Sequence, residues 1–186
     1  MASSDAVLPP CDHAPVPPLL IVVGGLPATG KTTVAAELAR RTGFSFLRVD
    51  TIEQAILAST PLAQPLGPVG YVVARKVAAD LLRTGVSVIA ECVNPLAVTR
   101  DAWRDTGLGH GARVLEAEIV CSDPAEHRRR AETRDTGIPG HVPPTWAAIA
   151  GREYEPWTRD RLVVDTARLP VGEAVAVIEA AARPRR

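Results

Sequence analysis

From Leu19 onward the chain alternates short apolar runs with longer amphipathic stretches. Leu19-Leu20-Ile21-Val22-Val23 is apolar throughout, as suits a strand buried on both faces of a parallel sheet. After a glycine-rich turn, Val34, Leu38 and their alanine neighbours recur at helical spacing, which predicts a helix from about Lys31 to Arg41 with a stop at Gly43. Phe44 to Val49 reads as a second strand closing on Asp50, and Thr51 to Ala58 as a short helix. Pro61, Pro65, Gly67 and Pro68 then break the chain. In the next helix, Val69 to Arg83, positions Val73, Val77 and Leu81 lie four apart. Val86 to Ala90 is a third buried strand, ending on Glu91. A helix is expected from Asn94-Pro95 to about Asp105, then a loop through Gly107, Gly109 and Gly111, then a fourth strand from Arg113 to Cys121. Asp123-Pro124, a capping residue with proline at the first helical position, opens a helix that runs through an arginine cluster toward Arg134. Gly137 to Pro144 interrupt it. A helix containing Trp146 and Tyr154 is expected to end at Pro156, with Leu162-Val163-Val164 as the last strand and Val171 to Ala182 as the closing helix.

This alternation predicts an α/β fold, a doubly wound parallel five-stranded sheet with helices on both faces. The expected domain is 19–183, preceded by a disordered or extended leader over 1–18 that carries Pro9, Pro10, Pro15, Pro17 and Pro18. In such a sheet ligands sit beyond the carboxyl ends of the strands. Gly24 onward, Asp50, Glu91, Ser122/Asp123 and Asp165 fall at that edge.

The first of these positions opens a P-loop: Gly25-Leu26-Pro27-Ala28-Thr29-Gly30-Lys31-Thr32 has two glycines five apart, followed by lysine and threonine. Backbone N–H groups must turn inward around a phosphate, and glycine stands where a Cβ would obstruct the bend. The helix that follows aims its positive end at the same anion. Lys31 then reaches the β- and γ-phosphates and the Thr32 hydroxyl can ligate Mg²⁺. Gly25 to Thr33 are therefore the expected nucleotide-binding set. Of 21 basic residues only Lys31 and Lys76 are lysines, so this lysine stands against a strong arginine bias.

Length and charge narrow the class further. With 186 residues there is room for one α/β domain, and a net charge of zero asks for neither nucleic acid nor an anionic membrane. Cys11, Cys92 and Cys121 lie far apart without metal-ligand spacing, which fits a reducing cytoplasm, and Cys11-Asp12-His13 lacks further ligands. No basic n-region precedes Lys31, and no apolar run reaches membrane-spanning length.

Several polar residues are candidates for chemistry. Asp50 can take a proton from an acceptor hydroxyl as its oxygen attacks the γ-phosphate, or it can cap the helix behind it. Glu91, placed like the acid of a Walker B segment, can hold a Mg²⁺-bound water, contact substrate, or pair with an arginine. Arg100 and Asn94 follow that strand; Arg100 can clamp an anion or remain a solvated charge beside Asp101 and Arg104. In the run His127-Arg128-Arg129-Arg130 with Arg134, residues Arg130 and Arg134 share a face with His127, while Glu126 and Glu132 offer salt-bridge partners. Arg130 and Arg134 are the expected lid groups that close on the transferred phosphoryl. Trp146, Tyr154 and Trp157 serve either as lid core or as a stacking wall for a substrate ring.

On these residues the chain resembles the P-loop small-molecule kinases, a group that includes gluconate kinase, adenylylsulfate kinase, chloramphenicol phosphotransferase, polynucleotide kinase and the zeta-toxin kinases. Glu91-Cys92-Val93-Asn94-Pro95 with Thr99-Arg100, Glu126 to Arg130, Pro144-Thr145-Trp146 and Arg152 to Trp157 are similar to bacterial proteins labelled AAA-family ATPases or kinases. The resemblance covers about residues 19 to 182. It implies a nucleotide-kinase-like sheet, Asp50 as base, a small, mobile, arginine-bearing helical lid at approximately 124–157, and Asp165-Thr166 beside the adenine. Many relatives carry Asp at the position of Glu91, and no gluconate or adenylylsulfate signature is present.

The expected activity is an ATP- and Mg²⁺-dependent transfer of phosphate to a hydroxyl of a small molecule by a cytoplasmic monomer or homodimer. Lys31, Asp50, Arg130 and Arg134 would be catalytic, and Asp50, Glu91, Asn94 and Arg100 would line the acceptor. An ATPase or nucleotide-dependent switch is the alternative, although the length leaves no room for the helical domain of AAA machines. A GTPase is disfavoured, since the only asparagine, Asn94, precedes proline.

Overall fold

The computed structural model describes residues 16–184, so most of the proline-rich leader and Cys11-Asp12-His13 lie outside the described residues. Five strands, β1 (Leu19–Gly24), β2 (Ser45–Arg48), β3 (Val88–Glu91), β4 (Arg113–Val120) and β5 (Leu162–Asp165), form one parallel sheet in the order β2-β3-β1-β4-β5. Around it lie α1 (Lys31–Thr42), α2 (Val49–Ser59), α3 (Val69–Arg83), α4 (Ala97–Leu108), α5 (Pro124–Thr133), α6 (Trp146–Ala150) and α7 (Val171–Ala182).

Side chains alternate across β1, and the two faces feed separate cores. Leu19, Ile21 and Val23 pack with Val34 and Leu38 of α1 and Val175 and Ile178 of α7. Leu20 and Val22 pack on the other side with Ala74, Ala78 and Leu82 of α3 and Trp103 of α4. Helices thus cover both faces, which is why β1 can be apolar at every position. β4 differs: its buried Glu116 and Glu118 are matched by Arg159 and Arg161 at 2.6 and 2.8 Å.

Some boundaries correct the sequence reading. β3 lies between β2 and the P-loop strand, pairing Val23 with Glu91 on one side and Arg48 with Glu91 on the other. Glu91 therefore sits nearer the P-loop than Asp50 does. The chain turns helical at Val49, which places Asp50 in the first turn of α2 rather than at the end of a strand. Gly107 belongs to α4, not to a loop: a Cβ there would stand 2.4 Å from Val114 Cγ2, so glycine permits the helix to press on the sheet. The helix begun at Trp146 ends at Gly151, and Tyr154 lies beyond it in an irregular segment.

α5 and α6 pack beside the P-loop through a small third core of Ala28, Ala131 and Ile149, with Leu26 and Trp146 against it. Among the described residues, no helix is long and apolar enough to cross a membrane.

Candidate functional site

The P-loop leaves β1 at the point where the sheet order reverses, β3 lying to one side of β1 and β4 to the other. Gly25 has φ 142°, and a Cβ on it would meet the Ile119 carbonyl oxygen at 2.2 Å, so only glycine fits. Ala28 takes the left-handed region with φ 66°, and Gly30 follows at φ 89°. Three of the loop's carbonyls are bonded, one from within the loop and two from outside it. Thr29 Oγ1 donates to Leu26 O at 2.9 Å, His127 Nε2 lies 2.8 Å from Pro27 O, and Thr166 Oγ1 donates to Thr29 O at 2.6 Å. Trp146 packs edge-on against His127, holding that buttress in place. α1 opens with no side-chain cap and no acid in its first turn, which leaves its first amides for an anion.

A cavity of about 260 Å³ lies against this loop, lined by Gly30, Lys31, Thr32, Arg48, Arg130 and Arg134 among others. Lys31 is 3 % exposed; its Nζ is 3.4 Å from Glu91 Oε1, and Arg48 Nε is 3.1 Å from Glu91 Oε2. Neither approach has hydrogen-bond geometry, so both are contacts of charge alone. Arg48 also donates to the Thr136 carbonyl at 2.9 Å, tying the sheet edge to the segment after α5. Sequence reasoning passed over Arg48. The only signal for it was an arginine two residues before Asp50, which carries no meaning until β3 brings Glu91 alongside.

The two arginines of the expected lid differ. Arg130 is anchored by Glu126 at 2.7 Å and by the Thr166 hydroxyl at 2.9 Å, and it also lines a shallow cavity of about 240 Å³ with Gly30, Thr33, Thr166, Leu169 and Pro170. Arg134 ends α5 with its Nε buried and without a hydrogen-bond partner. Burial lowers its pKa, with Asp50 and Glu91 opposing and Arg48 adding to the shift.

Arg134 also lines a second cavity of about 640 Å³, bounded by α2, α3, the start of α4 and the segments 64–68 and 141–144. Asp50 and Glu53, one helical turn apart, stand in it with Tyr71. Burial first, and the charge of Asp50 second, push the Glu53 carboxyl above its ordinary value. Burial holds the Tyr71 phenol protonated at any physiological pH, and its oxygen accepts the Asn94 N–H at 3.0 Å. Asp50 makes no cap: the N-cap of α2 is Arg48, without a side-chain cap bond.

Other expected residues stand elsewhere. Arg100 is 1 % exposed and donates to four main-chain carbonyls: Asn94 at 3.1 Å, Pro95 at 2.9 Å, Glu155 at 2.8 Å and Pro156 at 3.2 Å. With Tyr154 and Trp157 stacked on its guanidinium, it is a latch and presents no donor to an acceptor. Tyr154 and Trp157 are thus taken up by this guanidinium, whereas Trp146 packs on His127 and the small core at Ala28. Asn94 is fully buried at φ 54°, does not line the second cavity, and has neither side-chain polar atom hydrogen-bonded. The Asp165 carboxylate accepts the Ser122 and Ala167 amides at 3.0 Å each; burial would raise its pKa, but these bonds outweigh it and hold it below the usual range. Cys92 is fully buried and its thiol is pushed up by that burial, so it offers no nucleophile.

Among the described residues no group of three or more His, Cys, Asp or Glu could hold a metal ion. Thr32 and Glu91 nevertheless suit Mg²⁺, which keeps most of its water and leans on phosphate oxygens. Thr32 lines the P-loop cavity, and both Glu91 oxygens are buried without a hydrogen-bond donor.

The sheet, the P-loop and the flanking helices together make a nucleotide-binding fold of the P-loop kinase type. Residues 20–142 match the family model described as an AAA domain, and the chain belongs to that family. Three solved structures share the fold. A candidate kinase from Chloroflexus aurantiacus has a TM-score of 0.73 at 21 % identity, over 89 % of this chain and 98 % of that one. A gluconokinase from Sinorhizobium meliloti has a TM-score of 0.59 at 20 % identity, over 89 % of this chain and 94 % of that one. The APS kinase CysC of Mycobacterium tuberculosis, in complex with AMPPNP and APS, has a TM-score of 0.62 at 20 % identity, over 89 % of this chain and 98 % of that one. No curated protein matches the chain.

Proposed function

We propose that this protein is an ATP- and Mg²⁺-dependent phosphotransferase that phosphorylates a hydroxyl of a small molecule, with Asp50 as general base. One observation carries the reading: the cationic cavity at the P-loop and the Asp50-bearing cavity share Arg134 in their walls. A γ-phosphoryl lying on Lys31 and Arg134 would face an alcohol lying on Asp50.

In this reading the triphosphate rests on the amides of residues 25–33, and Lys31 leaves Glu91 for the β- and γ-phosphates. The shallow cavity beside Thr166, Leu169 and Pro170 takes the base, with Arg130 between base and phosphates. Asp165 acts only through the loop it caps. Thr32, with Glu91 through water, would hold Mg²⁺, whose chemistry is to neutralise charge on the phosphate oxygens. Asp50 removes the proton from the acceptor hydroxyl, whose oxygen bonds to the γ-phosphorus. The bond from that phosphorus to the bridging oxygen breaks, ADP leaves, and Asp50 returns its proton to water. The segment from α5 to about residue 157 serves as the lid, although its packing on Ala28 makes Arg134 and residues 135–144 the parts with most freedom to close. The gluconokinase and the APS kinase that share the fold support transfer to a small molecule.

The test is Asp50→Asn with γ-labelled ATP and a panel of alcohols. Phosphoryl transfer should fall about 10²–10⁴-fold while nucleotide affinity is kept. Label that enters only free phosphate in the wild-type protein, whatever alcohol is offered, would identify an ATPase instead.

A further inference from the structure

We propose that the acceptor is an uncharged alcohol on a largely apolar body, and that the cavity between α2, α3 and α4 selects it by balanced charge and an apolar rim. This rests on the phosphotransfer reading above and names the kind of molecule it acts on.

The cavity, at about 640 Å³, is of the size that encloses a metabolite-sized molecule. Its charged groups are two carboxylates, Asp50 and Glu53, and two guanidinium groups, Arg134 and Arg152; His141 and the protonated Tyr71 also line it. The two signs are therefore matched in number along its lining, and Arg134 is shared with the phosphate cavity. A carboxylate or phosphate on the acceptor would enter without a surplus cation to receive it, and a buried charge without a partner is costly.

The remaining wall is mainly apolar, with Gln64 and Thr99 as its further polar side chains. Leu66, Val93, Leu96, Val98 and Val142 line it together with several prolines. Val98 and Val142 are 68 % and 86 % exposed, large apolar side chains left in water at the rim of a cavity. A polyol would bury more hydroxyls against this wall than Gln64 and Thr99 can bond. An apolar body covers Val98 and Val142 and gains by doing so.

At the polar end Asp50 receives the reacting hydroxyl. Glu53 lies along α3 against Gly70, where a Cβ would meet Glu53 Cγ at 2.3 Å. That glycine lets the Glu53 side chain lie flat against α3, in the wall of the cavity beside Asp50.

The experiment compares three alcohols on the full chain with Mg²⁺ and a non-hydrolysable ATP analogue: para-isopropylbenzyl alcohol, para-hydroxymethylbenzoate and xylitol. The first two share a shape and differ by one carboxylate; the third is all hydroxyls. Calorimetry should show the apolar alcohol binding at least about tenfold more tightly than either other probe. Val98→Asp should weaken that binding by about the same factor without altering nucleotide affinity. Equal or tighter binding of the benzoate or xylitol overturns the proposal, as does no binding of the apolar alcohol at millimolar concentration or indifference to Val98→Asp. Labelled ATP separates the two levels of inference. If the apolar alcohol binds but label goes only to free phosphate, the acceptor class stands as a binding preference and phosphotransfer falls. If label goes preferentially to xylitol or the benzoate, phosphotransfer stands and this acceptor class falls.

Discussion

The two cavities that meet at Arg134 are built by opposite means. The phosphate side is centred on one unbroken stretch, residues 25–33, braced within the loop by Thr29 on Leu26 O and from outside by His127 on Pro27 O and Thr166 on Thr29 O, with Arg48, Arg130 and Arg134 around it. The acceptor side is assembled from α2, α3, the start of α4 and two loop segments, with apolar side chains at its rim. The first is a backbone device and tolerates almost no change; the second is a set of side chains on connecting segments, where change is cheapest. A triphosphate tail is the same in every nucleotide, so a fixed cradle suffices for it. An acceptor differs from enzyme to enzyme, and its site lies where the fold can vary.

Lys31→Ala attacks the cradle and should have the largest effect, a loss of about 10²–10³-fold in phosphoryl transfer, read with labelled ATP. Retained turnover would mean that the cradle does not hold the reacting phosphates. Arg100→Lys should separate architecture from chemistry. One ammonium cannot reach four carbonyls, so urea unfolding should show a loss of about 2–4 kcal/mol while the KM for ATP is unchanged. Arg48→Lys tests the tie between the two sides: lysine keeps a charge near Glu91 but cannot also hold the Thr136 carbonyl. A fall of about tenfold in kcat, larger than any change in the KM for ATP, is expected. A change in melting temperature alone would make Arg48 purely structural.

Glu53→Gln should give the smallest effect and has a defined sign. Burial and Asp50 raise the Glu53 pKa in the folded protein, so the folded state holds that proton more tightly than the unfolded chain. The favourable contribution is complete below the unfolded value and is lost as pH rises through the folded one. The glutamine variant should therefore be more stable than wild type near neutral pH, with the gain disappearing below about pH 4. Chemical denaturation at a series of pH values reads this directly. A gain that grows toward acid would mean that Glu53 is stabilised in its charged form.

Arg100 and Arg134 show where reading the sequence stops. Both follow motifs at the ligand edge, and as residue types they are equivalent candidates for gripping an anion. Arg100 proves to be closed in by carbonyls from residues 94–95 and 155–156, the latter more than fifty positions away in the chain. Arg134 ends its helix with a buried nitrogen that nothing in the protein satisfies. Asp50 was legible as an acid near the ligand edge but not as a first-turn helical residue, because the change from extended to helical backbone at Val49 follows from packing on α3 and not from local preference. Arg48 was invisible for the same kind of reason: it matters through Glu91, its neighbour across β3.

By itself the sequence determined the alternation of strands and helices, the P-loop and the helix that opens on Lys31. These depend on periodicity, glycine geometry and the chemistry of a phosphate, all of which act within a few residues. The tertiary structure alone decided the order β2-β3-β1-β4-β5, and with it the placing of Glu91 between Lys31 and Arg48. It also decided which arginine latches the fold and which faces the cavities, because strand order and burial arise from contacts between segments that no local pattern records.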